Sequence, residues 1–112
     1  MFARMTILPF KPELLEEGVQ IYKQSVIPDA KKQKGYCGAC LLIDRNLGKA
    51  ISVTFWESER DAVANEESLY YQDQLLKFRR FFQGSPYREG YEVRINALEA
   101  PAKKKSTKKA RS

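Results

Sequence analysis

Apolar and polar positions along this chain switch between two periods, and the switches mark its elements. Ala3, Met5 and Ile7 alternate with Arg4 and Thr6, the period of two expected of a strand with one buried face; Pro9 closes the run. Lys11-Pro12 opens a helix, because proline's fixed φ and missing N–H suit a first helical turn. Leu15, Val19, Tyr22 and Val26 then recur at i, i+4, i+7 and i+11 as one apolar stripe. Glu13, Glu16, Glu17, Gln20, Lys23 and Gln24 take the wet side, and Pro28 is predicted to stop the helix. Two β-rich runs, 36–43 and 49–57, flank Asp44-Arg45-Asn46-Leu47-Gly48 and predict a hairpin. In its second arm Ile51, Val53 and Phe55 face one way, and Ala50, Ser52, Thr54 and Trp56 the other.

Ser58-Glu59-Arg60-Asp61 reads as a capping box that opens a second helical segment. Asn65-Glu66-Glu67-Ser68 interrupts its apolar stripe, so a kink is expected, with Ser68 recapping the chain. Beyond it Tyr71, Leu75, Phe78 and Phe82 restore the helical spacing until Gly84-Ser85-Pro86 terminates it. Tyr91, Val93, Ile95 and Ala97 alternate with Glu92, Arg94 and Asn96 as a last strand. The order is β-α-β-β-α-β, an α+β ferredoxin-like fold with an antiparallel sheet. Right-handed crossovers place both helices on one sheet face. The apolar sets of the first, third and last strands are expected beneath them. The opposite face then carries Arg4, Thr6, Ser52, Thr54, Trp56, Glu92 and Arg94, either covered by a partner or wet.

Charge divides the 112 residues in two. Of 20 Lys plus Arg, six lie between Lys103 and Arg111 with no acid among them, leaving a body of 14 positive and 14 negative side chains. Residues 1–98 therefore read as one folded domain and 99–112 as a disordered basic tail. The tail is either solubilising or a source of non-specific contacts with nucleic acid; the body has no basic aromatic platform for such a ligand. Two cysteines exclude a disulfide scaffold, and no apolar run approaches a membrane span, so a soluble cytoplasmic protein without a membrane partner is expected. Cys37-Gly38-Ala39-Cys40 lies on a strand, where residues three apart point to opposite faces; two small buried thiols are expected rather than a redox or zinc pair. The chain has no histidine, which removes Ser-His-Asp and Cys-His catalysis and every His-ligated metal or haem site.

Several short motifs fall in order on this frame: Ser25-Val26-Ile27-Pro28, Gly35-Tyr36, Phe55-Trp56-Glu57-Ser58, Tyr70-Tyr71 and Arg88-Glu89-Gly90-Tyr91-Glu92-Val93. Together they resemble the antibiotic biosynthesis monooxygenase domain family over roughly residues 3 to 97. The resemblance implies a dimeric α+β barrel, two sheets packed face to face, with a pocket between helices and sheet in each subunit. It also implies cofactor-free oxygenation of phenolic or quinol-like substrates, or oxidative haem breakdown. Haem-degrading relatives carry a helix-two histidine about ten residues after the tryptophan, where this chain has Glu66. Their strand-one asparagine corresponds most nearly to Met5. The haem reading therefore loses its axial ligand.

A cofactor-free oxygenase needs an apolar slot, a route for one proton and donors for a substrate anion. Tyr22, Tyr36, Tyr70, Tyr71 and Trp56 are the candidate walls and donors, and Glu66 the candidate base. Each also has a purely packing or solvated alternative, and Trp56 is as readily a dimer-interface residue as a pocket wall. Two functions are carried forward. One is a homodimeric monooxygenase of an aromatic or quinol-like molecule, using no cofactor. The other is a non-catalytic dimeric barrel that binds a small hydrophobic ligand or serves as an interaction module. A slot reaching Trp56 or Tyr70 with an unpaired polar group favours the first; a space filled by side chains favours the second.

Overall fold

The computed structural model describes residues 1–99; the basic run beyond them, and its expected disorder, lie outside the described residues. Strands β1 (Phe2–Pro9), β2 (Tyr36–Asp44), β3 (Lys49–Trp56) and β4 (Tyr87–Glu92) form one antiparallel sheet in the order β2-β3-β1-β4. The first crossover is the helical stretch 12–30, which contains α1 (Leu15–Ile21) and α2 (Ile27–Ala30). The second contains α3 (Glu59–Glu67) and α4 (Tyr70–Leu76). The predicted α+β ferredoxin-like order is the one observed.

Pro28 does not stop the first helix. A π turn at Tyr22–Val26 precedes it, in which the Ile27 N–H donates to the Tyr22 carbonyl, five residues back. The wider turn restarts the ladder, so Pro28 falls in the first turn of α2, where no N–H is required of it. Ser58 caps α3 as expected, its Oγ accepting the Asp61 N–H at 3.2 Å. The predicted kink is present too, but Ser68 does not recap the chain. Leu69 does, with φ at +70°, a left-handed conformation rare for a leucine.

The core lies between the helices and one end of the sheet. Phe10 and Phe81 are fully buried there, with Leu8, Leu15, Tyr22, Val26, Ala50 and Phe78 around them. Phe10 stacks on Phe82 at 5.8 Å and meets Phe78 at 5.4 Å. The predicted second helix is shorter than its apolar spacing implied. α4 ends at Leu76, and Phe82 instead makes an isolated bridge with Phe10.

The sheet faces are inverted relative to expectation. Register places Arg4, Thr6 and Leu8 beside Thr54, Ser52 and Ala50, and Phe2 beside Trp56. This half-polar face is the one the helices cover, since Thr6, Ser52, Thr54 and Trp56 share a cavity with Tyr22, Asn65 and Tyr70. The apolar set Ala3, Met5, Ile7, Ile51, Val53 and Phe55 points the other way. Alternation separates two faces, but the handedness of the crossovers does not say which of them looks toward the helices.

Two smaller corrections follow from register. β4 begins four residues earlier than expected and ends at Glu92, which lies opposite Phe2, the first residue of β1; one more hydrogen bond follows, from the Val93 N–H to the Met1 carbonyl at 3.0 Å. Cys37 and Cys40 are exposed and free rather than buried. Cys37 is the extra residue of a β-bulge between Tyr36 and Gly38, and Cys40 lies opposite Val53 on the uncovered face.

Candidate functional site

A cavity of about 60 Å³ lies between the half-polar sheet face and the helices. Its floor is alternate residues of the two central strands: Arg4 and Thr6 of β1, Ser52, Thr54 and Trp56 of β3. Its roof comes from three helical segments. The π turn supplies Tyr22 and Val26, α3 supplies Ala62, Asn65 and Glu66, and α4 supplies Tyr70, Tyr71, Gln74 and Leu75. The π turn lies in the roof, and the left-handed break at Leu69 falls between the roof residues Glu66 and Tyr70, so both crossovers are irregular next to this space.

The polar groups divide into donors and acceptors. Tyr22 Oη and Ser52 Oγ are hydrogen-bonded at 2.7 Å. Burial pushes the Tyr22 hydroxyl up to about 12, partly offset by the Ser52 contact, and burial also raises Tyr70. Both phenols are therefore neutral at ordinary pH. Trp56 Nε1–H donates to Thr54 Oγ1 at 2.9 Å, which leaves the threonine hydroxyl proton free to point elsewhere. Asn65 Nδ2 donates to the Asp61 carbonyl at 2.7 Å, so its Oδ1 is the end left buried without a partner. Gln74 is oriented in the same way. Its Nε2 donates to Asp29 Oδ2 at 3.3 Å, and its Oε1 is buried and unpartnered. Hydrogen bonds from Lys77 and Gln74 hold the Asp29 carboxyl below the usual carboxylate range. That charge fixes the amide's direction.

At one end stands a charged group. Glu66 Oε2 lies 2.8 Å from Arg4 Nε and 3.2 Å from Arg88 Nε. The Arg4 guanidinium sits over the Phe2 ring at 5.4 Å and the Arg88 guanidinium over Tyr71 at 4.9 Å. Gly90, opposite Arg4 in β4, leaves the space this requires: a Cβ there would meet Arg4 Nη1 at 2.6 Å.

Of the residues proposed from sequence, Trp56, Tyr22, Glu66, Tyr70 and Tyr71 line this cavity. Trp56 is buried in the single chain and lies on the cavity floor. Tyr36 does not line the cavity; it packs edge-on against Trp56 at 6.1 Å. Glu66, expected as a base, is instead bound to two arginines. Thr6, Ser52, Thr54, Asn65 and Gln74 were not singled out. The signal for Asn65 was present, since the polar run that interrupts the apolar stripe begins with Asn65 and Glu66, which face the cavity.

No family model matches the sequence. Two uncharacterized proteins of Mycobacterium tuberculosis are each 34% identical over 55 residues, covering 49% of this chain and 25% of their own length. The chain thus matches only a quarter of these curated relatives. Solved structures match it along nearly its whole length. The monooxygenase from the gene ActVA-Orf6 of Streptomyces coelicolor, solved with the ligand nanaomycin D, has a TM-score of 0.70 at 16% identity, covering 88% of this chain and 92% of its own. A Nitrosomonas europaea protein assigned to the antibiotic biosynthesis monooxygenases has a TM-score of 0.69 at 11% identity, covering 85% and 100%. A Deinococcus radiodurans protein with the same assignment also has a TM-score of 0.69 at 11% identity, covering 91% and 100%. At these identities the likeness is one of backbone, and it establishes that this chain has the fold of the antibiotic biosynthesis monooxygenase domain.

Proposed function

We propose that the protein is a monooxygenase of the antibiotic biosynthesis type, acting on a phenolic or quinol-like aromatic molecule without a cofactor, and that it works as a homodimer. The observation that carries this reading is the lining of the cavity: an aromatic slot holding two buried amide oxygens, Asn65 Oδ1 and Gln74 Oε1, with no partner. A buried acceptor left unsatisfied costs about 1–3 kcal/mol, which a ligand bearing O–H donors would recover. Phenolic hydroxyls between aromatic walls meet that description. The S. coelicolor monooxygenase of the same fold, solved with nanaomycin D, supports the same class.

The chemistry requires a substrate that, as its anion, gives an electron to dioxygen. For a benzylic methylene flanked by phenolic rings, one oxygen atom enters at carbon as a carbonyl. The other leaves as water with the two hydrogens, so dioxygen is the oxidant and the substrate the reductant. The neutral Tyr22 and Tyr70 hydroxyls in the lining are the groups available to donate to the oxyanion as it forms. Glu66, flanked by two guanidiniums, is a charge partner and not the free base. A cavity of about 60 Å³ holds only a few waters, so an aromatic ring enters by displacing the partly buried Tyr70, Tyr71 and Leu75 of α4.

The test is oxygen uptake with a panel of anthrones, quinols and catechols, comparing wild type with Trp56→Phe. Uptake with one class, at least tenfold slower in the variant, is expected. Absence of uptake across the panel overturns the oxygenase reading, and ligand binding without uptake leaves the non-catalytic barrel in its place.

A further inference from the structure

The charged end of the cavity is overfilled with donors. Arg4 and Arg88 together present ten guanidinium N–H groups and two positive charges, and among the described residues Glu66 is the one carboxylate that reaches them. Glu66 approaches both through a single oxygen, Oε2, without aligned hydrogen bonds: Arg4 Nε and Glu66 Oε2 are both buried and lack a hydrogen-bond partner in spite of their 2.8 Å separation. The group therefore carries a net charge of +1; Arg4 and Glu66 line the mostly apolar cavity, and the more exposed Arg88 joins them through Glu66. The Phe2 and Tyr71 rings hold both guanidiniums in place, and the absence of a side chain at Gly90 makes room for one of them. A pre-positioned pair of guanidiniums, half neutralised and poorly aligned with its own counter-ion, is what a planar bidentate anion would complete.

We propose that Arg4 and Arg88 form a carboxylate subsite, so that the preferred ligand is an aromatic hydroxy-acid and not a neutral phenol. The ring lies between the tyrosines and Trp56, its hydroxyl meets the Asn65 or Gln74 oxygen, and its carboxylate pairs with the arginines as Glu66 moves aside. This inference rests on the cavity being the ligand site, as above, but not on oxygen chemistry.

The test is calorimetric titration of the full chain with 3-hydroxy-2-naphthoate and with its neutral amide, which match in shape and differ in charge. Wild type is expected to bind the acid at least tenfold more tightly, about 1.4 kcal/mol. Arg88→Met, a half-exposed rim position, is expected to remove most of that preference by weakening the acid far more than the amide. Glu66→Gln is expected to strengthen acid binding severalfold by removing the competing carboxylate, an effect a merely structural role for Glu66 would not produce. Equal affinity for acid and amide in the wild type, or equal loss of both in Arg88→Met, overturns the subsite while leaving the cavity reading intact. Failure of both compounds to bind overturns the cavity and the subsite together. An acid preference without oxygen uptake overturns only the oxygenase reading.

Discussion

At the scale of single residues, the Tyr22–Ser52 pair links stability to the site. Tyr22 is buried, its hydroxyl bonded to Ser52 at 2.7 Å, and its ionisation is pushed from the usual 10 up to about 12. Between those values the native state holds a proton that the unfolded chain has released. Stability is therefore complete below pH 10 and falls as pH rises toward 12, by about 2–3 kcal/mol for this group. Urea denaturation across pH 9 to 12 should show that decline, and Tyr22→Phe should make it shallower, leaving the part that the likewise raised Tyr70 contributes. A parallel decline in the variant would mean that another group controls the alkaline limb. The same residues show what a sequence discloses about a site. Tyr22 and Trp56 were legible because large aromatics on patterned elements stand out. Ser52 and Thr54 were not, because small hydroxyl residues on a strand look the same whether they face solvent or a cavity. Asn65 was marked only indirectly, by the polar run that breaks the apolar stripe, and Gln74 becomes visible only when hydrogen bonding shows which amide end is left unpaired.

At the scale of elements, both crossovers are broken, one at residues that line the cavity and the other between two that do. The Pro28 and Ser68 expectations failed for related reasons. Sequence signals mark where a helix is stressed, but tertiary packing decides whether the chain stops, widens into a π turn or passes through a left-handed residue. Leu69 takes the last course, with its side chain 63% exposed, so its conformation is held by the direction α4 must take and not by burial of its own side chain. A left-handed residue costs about 1–2 kcal/mol, less for glycine, whose extra freedom in the unfolded chain offsets part of the gain. Leu69→Gly should therefore be neutral to about 1 kcal/mol stabilising, and Leu69→Val should destabilise by about 1 kcal/mol or more, since a β-branched residue fits this region worst. Denaturant midpoints would check the order, and Leu69→Val more stable than Leu69→Gly would show that the joint is not strained.

At the scale of the whole molecule, the inverted sheet changes what a partner would meet. The fold was readable from element order, but the choice of covered face depended on register, which periodicity alone does not carry. The expected dimer surface was the half-polar one; that face is occupied by the protein's own helices. The remaining face brings Met5, Ile51 and Phe55 into line with exposed Leu42, Tyr87 and Tyr91 around buried Ala3, Ile7 and Val53. Contiguous apolar surface of this kind calls for a cover, and the homodimer proposed above would supply a matching one by symmetry. The stable interfaces of such pairs bury roughly 1,200–2,000 Å². Leu42 and Tyr91 lie on opposite edge strands and are about half exposed in the single chain, so replacing both with lysine should leave the fold intact while placing like charges across the pairing plane. Sedimentation equilibrium at micromolar concentration should give twice the chain mass for wild type and the single mass for Leu42→Lys/Tyr91→Lys, with unchanged far-UV circular dichroism. Wild type sedimenting as a single chain would sink the dimer, and a double variant still at twice the mass would move the interface off this face.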